Sequence, residues 1–345
     1  MKIGIVNDLT ICIESLQKVL ISAPEHQVVW IARNGLEAID RCKELTPDLI
    51  LMDMLMPVMN GVEATRRIMQ ATPCPILIVT STVTGNSAKV FEAMSAGALD
   101  AVATPVIGRT GEAAKGDELL KKIYQIGKLT GSMHKKPSKG TRVVAKPKIE
   151  IEGSDLVILG SSTGGPKVLI EILSTFPKNF PAAFIIIQHM DEQFTPGLVE
   201  WMDSQINMPV SIAKEGSMPE PGKVLMACTD GHLVMTPKLT LSYSKEPKDN
   251  FYHPSVDVFY FSVAQYWPAD GVAALLTGMG RDGAEGLLAL HNRNWYTVAQ
   301  DRDSSIVYGM PKAAAKIGAA TDILPGSMIG KAISDFLLVK KSKIQ

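Results

Sequence analysis

A chain of 345 residues is long for one hydrophobic core, and at roughly 100–200 residues per domain it is expected to form two. Lys plus Arg and Asp plus Glu are 35 each, so no overall charge draws the chain to nucleic acid or to a membrane surface. The cysteines Cys12, Cys42, Cys74 and Cys228 form no C-x-x-C pair, which argues against a zinc site or a disulfide framework and fits a reducing compartment.

No apolar run approaches the ~20 residues of a membrane span, and the chain runs from Met1 directly into a strand pattern instead of a signal peptide. A cytoplasmic protein without direct membrane insertion is expected. From Lys2, apolar runs alternate five times with amphipathic ones. Residues 3–6, 28–32, 49–52, 76–79 and 101–103 predict strands, and residues 11–21, 36–45, 62–69, 88–96 and 118–126 predict helices. This alternation predicts a doubly wound parallel sheet with its chemistry at the carboxyl ends of the strands. Those ends carry Asn7-Asp8, Asp53 and Thr80-Ser81. A single aspartate after a strand is commonly a turn former or a helix cap. Two of them, from strands that the topology makes neighbours, suit a hard cation such as Mg2+.

Asp53 lies in Leu51-Met52-Asp53-Met54-Leu55-Met56-Pro57, with Gly61 beyond. Together with Asp8 and Thr80 these residues resemble a response-regulator receiver domain over residues 1–126. The resemblance implies a flavodoxin-like fold, Asp53 as phosphoacceptor, Asp8 and Asp53 as Mg2+ ligands, and Thr80 as the hydroxyl that hydrogen-bonds the phosphoryl group. The chain departs from the receiver pattern at Asn7, where a second acidic residue is usual, at Thr104, where a lysine usually precedes the proline, and at Ala101, where an aromatic is frequent. Asn7 removes one charge from the cation site and Thr104 removes the cation that would pair with the acyl phosphate, so a weakened Mg2+ site is expected.

Between residues 127 and 153 the periodicity fades. Residues 134–148 hold Lys135, Lys136, Lys139, Arg142, Lys146 and Lys148 without an acidic side chain, and Pro137 and Pro147 break any helix. The stretch is read as a flexible tether, with a basic arm for an acidic surface as the competing reading. The expected division is a domain over 1–126, a linker over 127–153 and a second domain over 154–345.

The second half opens on Leu156-Val157-Ile158-Leu159, then Gly160-Ser161-Ser162-Thr163-Gly164-Gly165-Pro166, then a helical pattern over 167–176. Proline at the first helical position costs no hydrogen bond, so strand, sharp turn and helix are predicted, with Ser162 at the carboxyl end of a buried parallel strand. That is the layout of a nucleophile elbow, although the spacing is not G-x-S-x-G. Helix capping by Ser161, Ser162 or Thr163 competes with it, as does phosphate binding at the helix amino end. The phosphate reading lacks the G-K-[ST] of a P-loop, and the next strand ends in Gln188 where a dinucleotide fold would place an acidic residue.

His189 follows that next strand. Alone it also fits a structural histidine or, with Asp191 and Glu192, a metal ligand that lacks the usual spacing. Residues 223–236 predict a hairpin about Asp230-Gly231. Residues 255–267 predict a helix, 272–276 a strand, and 284–291 a helix entered through Asp282, which is either its cap or a site residue. Residues 296–300, 304–316 and 328–339 add a strand and two helices. Three strand ends thus carry Ser162, His189 and Asp282, and a triad is defined by geometry whatever its chain order. A serine hydroxyl needs an imidazole to take its proton, and the imidazole needs a carboxylate to fix its tautomer and stabilise its charged form.

Gly160-Ser161-Ser162-Thr163-Gly164-Gly165, Gln188-His189-Met190, Pro254-Ser255-Val256-Asp257 and Thr277-Gly278-Met279-Gly280-Arg281-Asp282-Gly283 together resemble the catalytic domain of the chemotaxis protein-glutamate methylesterases, the CheB family. A receiver linked to such a domain resembles that family's whole architecture. The resemblance implies Ser162 as nucleophile, His189 as base, Asp282 as its orienter and the Met279 N–H as an oxyanion-hole donor, with no cofactor in this half. It further implies γ-glutamyl methyl esters on the cytoplasmic domain of a methylated chemoreceptor as substrate, glutamine deamidation beside it, regulation by the receiver and a histidine kinase as partner. Asn7-Asp8 and Thr104-Pro105 make the chain most similar to the Wsp-type branch, which serves a surface-sensing receptor pathway. The expected fold class is α/β: two doubly wound parallel-sheet domains, an N-terminal flavodoxin-like receiver and a C-terminal α/β esterase domain. The alternative, from another class, is a non-enzymatic signalling adaptor whose loops only dock partners.

Overall fold

The computed structural model describes residues 1–81, 87–107, 113–114, 116–129, 155–248, 250 and 252–342, in two compact units, Met1–Pro137 and Ser138–Gln345. The first unit runs β1 (Lys2–Val6), α1 (Thr10–Ile21), β2 (Gln27–Ala32), α2 (Gly35–Glu44), β3 (Leu49–Met52), α3 (Gly61–Ala71), β4 (Ile76–Thr80), α4 (Ser87–Ser95) and β5 (Asp100–Ala103). A short antiparallel pair, β6 (Val106–Ile107) and β7 (Ala113–Ala114), precedes α5 (Gly116–Leu129). The main sheet is parallel in the order β2-β1-β3-β4-β5, which is the flavodoxin-like order.

β3 and β4 are buried along their whole length, as runs without polar alternation must be when helices cover both faces of a sheet. On one face Ile5, Leu51, Leu77 and Val79 pack with Leu16 of α1 and Ile123 of α5. The register pairs Val6 with Met52, so the loops carrying Asp8 and Asp53 leave the sheet side by side. α5 reaches Leu129, past the start expected for the linker; the rest of that stretch lies outside the described residues.

The second unit runs β8 (Asp155–Ser161), α6 (Gly165–Leu173), β9 (Ala182–Gln188), α7 (Thr195–Gln205), β10 (Val210–Ile212), β11 (Val224–Met226), β12 (His232–Met235), β13 (Leu241–Ser244), α8 (Val256–Tyr266), β14 (Val272–Leu275), α9 (Ala284–His291), β15 (Tyr296–Gln300), α10 (Met310–Lys316), β16 (Asp322–Leu324) and α11 (Gly326–Ser342). Its seven-stranded parallel sheet has the order β10-β11-β9-β8-β14-β15-β16. The chain winds outward from β8 in one direction and then from β14 in the other, so β8 and β14 flank the switch point where such sheets bind ligands.

Two expectations change. The hairpin is β12 with β13, closed at Thr236–Thr240, whereas β11 joins the parallel sheet beside β9. Val224, Leu225 and Met226 are all buried, and a strand apolar on both faces belongs inside a covered sheet, not in a half-exposed ribbon. The helix expected over 304–316 starts only at Met310, because residues before it are taken up by local bonds such as Ser304 N–H and Oγ–H to Asp301 Oδ1. Among the described residues no helix is long and apolar enough to cross a membrane.

Candidate active site and receiver site

Ser162, His189 and Asp282 follow β8, β9 and β14, three adjacent strands, and so converge at one sheet edge. Ser162 is held from both sides. Its N–H donates to the Thr277 carbonyl at 3.0 Å, and the Gln188 side-chain amide donates to its carbonyl at 2.9 Å. The turn needs its glycines: Gly164 has φ 81, and a methyl group on Gly165 would collide with Gln188 Oε1. Ser161 joins the same turn through Gln188. It is fully buried, and its hydroxyl donates to Gln188 Oε1 at 2.6 Å.

Asp282 lies 2.7 Å from His189 Nε2 through Oδ2. The same carboxylate accepts from the Val256 N–H at 2.6 Å, the Ser255 hydroxyl at 2.8 Å and the Asp257 N–H at 3.3 Å, at the amino end of α8. Burial pushes its carboxyl up, but the bonds from His189, Ser255 and Val256 outweigh it and hold the group below its ordinary value. An ionised carboxylate only accepts, so Nε2 of a neutral His189 carries the proton, and Nδ1, buried and among the described residues without a hydrogen-bond partner, is the nitrogen left to accept one. The His189 ring stacks on Tyr252 with centroids 4.4 Å apart.

The Thr277–Gly283 loop runs against the serine. A Cβ on Gly278 would stand 2.8 Å from Ser162 Cβ, so only glycine lets the Gly278–Met279 backbone pass there. Gly278 is tied down by its N–H to the Val307 carbonyl at 3.0 Å and by its carbonyl to the Met310 N–H at 2.9 Å. That holds the Gly278 backbone against Ser162.

In the first unit Asp53 is buried and accepts from the Met54 N–H at 2.8 Å. Burial, together with the charge of Asp8, pushes its carboxyl up to about 6. Asn7 accepts from the Leu9 N–H at 2.9 Å, and the Thr104 N–H donates to the Thr80 carbonyl at 2.9 Å, which sets Thr104 beside Thr80. Among the described residues the buried Thr104 hydroxyl has no hydrogen-bond partner. Among the described residues no group of three or more His, Cys, Asp or Glu forms a ready metal site. A pair of carboxylates that repel one another still fits Mg2+, which takes one or two carboxylates and fills its octahedron with water and phosphate oxygens.

The sequence by itself assigns no role to Gln188, Ser255 or Tyr252. Ser255 carried a legible signal: a serine directly before a helix is an N-cap, and its hydroxyl accepts from the Val258 N–H at 3.2 Å while donating to Asp282. Nothing local marked Tyr252.

Residues 157–333 match the CheB methylesterase family and residues 3–114 match the response regulator receiver domain. A protein-glutamate methylesterase/protein-glutamine glutaminase of Mesorhizobium japonicum is 50% identical over 335 residues, covering 96% of this chain and 98% of that one. A protein of the same name, of the group 3 operon of Pseudomonas putida, is 49% identical over 337 residues, covering 97% and 99%. Among solved structures, the Thermotoga maritima CheB methylesterase catalytic domain is 33% identical with a TM-score of 0.52, covering 53% of this chain and 99% of that one. With its receiver and catalytic units both matched along nearly its whole length, the chain belongs to the CheB methylesterase family.

Proposed function

We propose that this chain hydrolyses γ-glutamyl methyl esters on the cytoplasmic domain of a methylated chemoreceptor, and deamidates glutamine side chains there by the same route. The reading is carried by one observation: the His189–Asp282 pair at 2.7 Å stands at the strand ends flanking Ser162. Ser162 Oγ attacks the ester carbonyl carbon while Nδ1 of His189 takes the hydroxyl proton. Asp282, bonded at Nε2, stabilises the imidazolium. The carbonyl oxygen becomes an oxyanion facing the Met279 N–H. As the tetrahedral intermediate collapses, the imidazolium returns its proton to the methoxy oxygen and methanol leaves. Water, deprotonated by the same nitrogen, then cleaves the acyl-enzyme to the glutamate carboxylate. For a glutamine the leaving group is ammonia.

The receiver unit would take a phosphoryl group on Asp53 from a histidine kinase, with the Thr80 hydroxyl bonding that group. Asp8 and Asp53 would hold Mg2+, which would supply positive charge against the phosphoryl oxygens. Asn7 and Thr104 support a weakened version of this site and a place in the Wsp-type branch. The work is done in the cytoplasm, where the receptor's methylated helices lie.

Methanol release from a methylated receptor cytoplasmic fragment tests the reading. The esterase releases methanol in proportion to enzyme; an adaptor, which would explain the same loops by docking, releases none.

A further inference from the structure

Asp282 holds the His189 imidazole at its edge, and Tyr252 holds it on its face, with ring planes within 9° of parallel. The tyrosine hydroxyl also reaches the Met279 carbonyl at 3.5 Å, and any side chain on Gly280, at φ 89, would collide with that hydroxyl. One side chain therefore touches both the ring assigned as base and the turn assigned as oxyanion donor. A ring whose hydrogen bond among the described residues runs through Nε2 can still swing about the bond to Asp282, which would turn Nδ1 with it; a second plane lying on its face removes that freedom. The face of a tyrosine ring also attracts the cation that forms when His189 is protonated. Burial and the charge of Asp282 push the phenol up to about 12, so Tyr252 stays uncharged at working pH.

We propose that Tyr252 is a positioning residue of the ester hydrolysis, its ring fixing the plane of the His189 imidazole. The proposal rests on the esterase reading given above.

The test uses full-length wild type, Tyr252→Phe and Tyr252→Leu on a methylated receptor fragment, with Tyr252→Met in place of Tyr252→Leu should the latter not fold. A base displaced by about 1 Å can lose rate up to about 10²-fold, so Tyr252→Leu is expected to lower kcat by about ten- to a hundredfold with KM nearly unchanged, and Tyr252→Phe, which keeps the ring, to stay within about threefold of wild type. In full-length protein carrying ¹⁵N-histidine, the low-field Nε2–H proton of His189 is expected in wild type and Tyr252→Phe and broadened or absent in Tyr252→Leu. A Tyr252→Leu enzyme with wild-type kcat, whether or not its KM rises, overturns the proposal, and so does an unchanged His189 signal. If wild type releases no methanol, the esterase reading fails, and the His189 signal by itself decides whether Tyr252 orders the ring.

Discussion

Asp257 and Asp282 cap each other's helices. Asp282 accepts the Val256 and Asp257 N–H groups at the start of α8, and Asp257, one residue into α8, accepts the Gly286 N–H at 2.7 Å in the first turn of α9. Each carboxylate meets the positive end of the partner helix, which offsets part of the cost of burying two like charges together. The charge relationship is unequal: Asp282 is held low by its donors, while burial and the charge of Asp282 push the Asp257 carboxyl up to about 7.

The pH consequence follows from proton counting. Between 3.8, its ordinary value, and about 7, Asp257 keeps a proton in the folded protein that the unfolded chain has released, so this group's contribution to stability falls as pH rises through that window. Asp257→Asn keeps an acceptor for Gly286 and removes the charge. It is expected to raise Tm at pH 8 and not at pH 4.5, a gain of about 1 kcal/mol showing as roughly 2–4 °C. Equal shifts at both pH values would contradict this origin.

Ser162→Ala is expected to lower methanol release by about 10³-fold or more while the protein stays folded, because the hydroxyl supplies covalent chemistry and little packing. Ser161→Ala works in the opposite sense. It leaves Gln188 Oε1 buried without its donor at a cost of about 1–3 kcal/mol, so thermal melting falls while much of the activity remains. Paired melting and methanol assays separate the two serines.

Mg2+ binding at the receiver is expected to weaken below pH 6. Asp53 is pushed up to about 6 by burial and by Asp8, and the metal needs its carboxylate ionised, so apparent affinity should fall by about tenfold per pH unit once protonation competes. Calorimetric titration at pH 5, 6 and 8 measures it, with Asp53→Asn expected to bind weakly and without this pH dependence. Affinity independent of pH in the wild type would count against Asp53 as a ligand.

Thr104→Lys is expected to strengthen the response to phosphorylation. Among the described residues the Thr104 hydroxyl has no hydrogen-bond partner, and its backbone is bonded to Thr80, the residue assigned to the phosphoryl group. A charge-assisted bond of about 1.5–3 kcal/mol corresponds to roughly ten- to a hundredfold in a two-state equilibrium. Methanol release with and without a small phosphodonor and Mg2+ should show a larger ratio in Thr104→Lys than in wild type, and no response in Asp53→Ala.

Val58→Asn is expected to stabilise the receiver unit by about 1 kcal/mol. Val58 has φ 67 and is 81% exposed, so a β-branched residue bears the left-handed backbone with no packing in return, whereas asparagine adopts it readily. Thermal melting of the two proteins is the measurement, and a lower Tm for Val58→Asn would show that Val58 makes a contact worth more than the strain.

What the sequence determined by itself was whatever local periodicity and strand-end position encode: the βα alternation of the first unit, the strand–turn–helix around Ser162, and the placing of Asp8, Asp53, Ser162, His189 and Asp282 at the carboxyl ends of strands. A parallel sheet imposes a continuous apolar run on each covered strand, and polar residues can follow only where the run ends, so those positions stand out along the chain. The tertiary structure alone decided that residues 224–226 join the large sheet, that Gln188 ties the Ser162 turn to β9, that Asp257 and Asp282 exchange helix caps, and that Tyr252 lies on His189. These are contacts between side chains and backbone groups far apart in the chain. Such contacts depend on strand order and register, which no local pattern carries, because the same tyrosine, glutamine or aspartate is equally compatible with an exposed loop until the sheet brings its partner alongside.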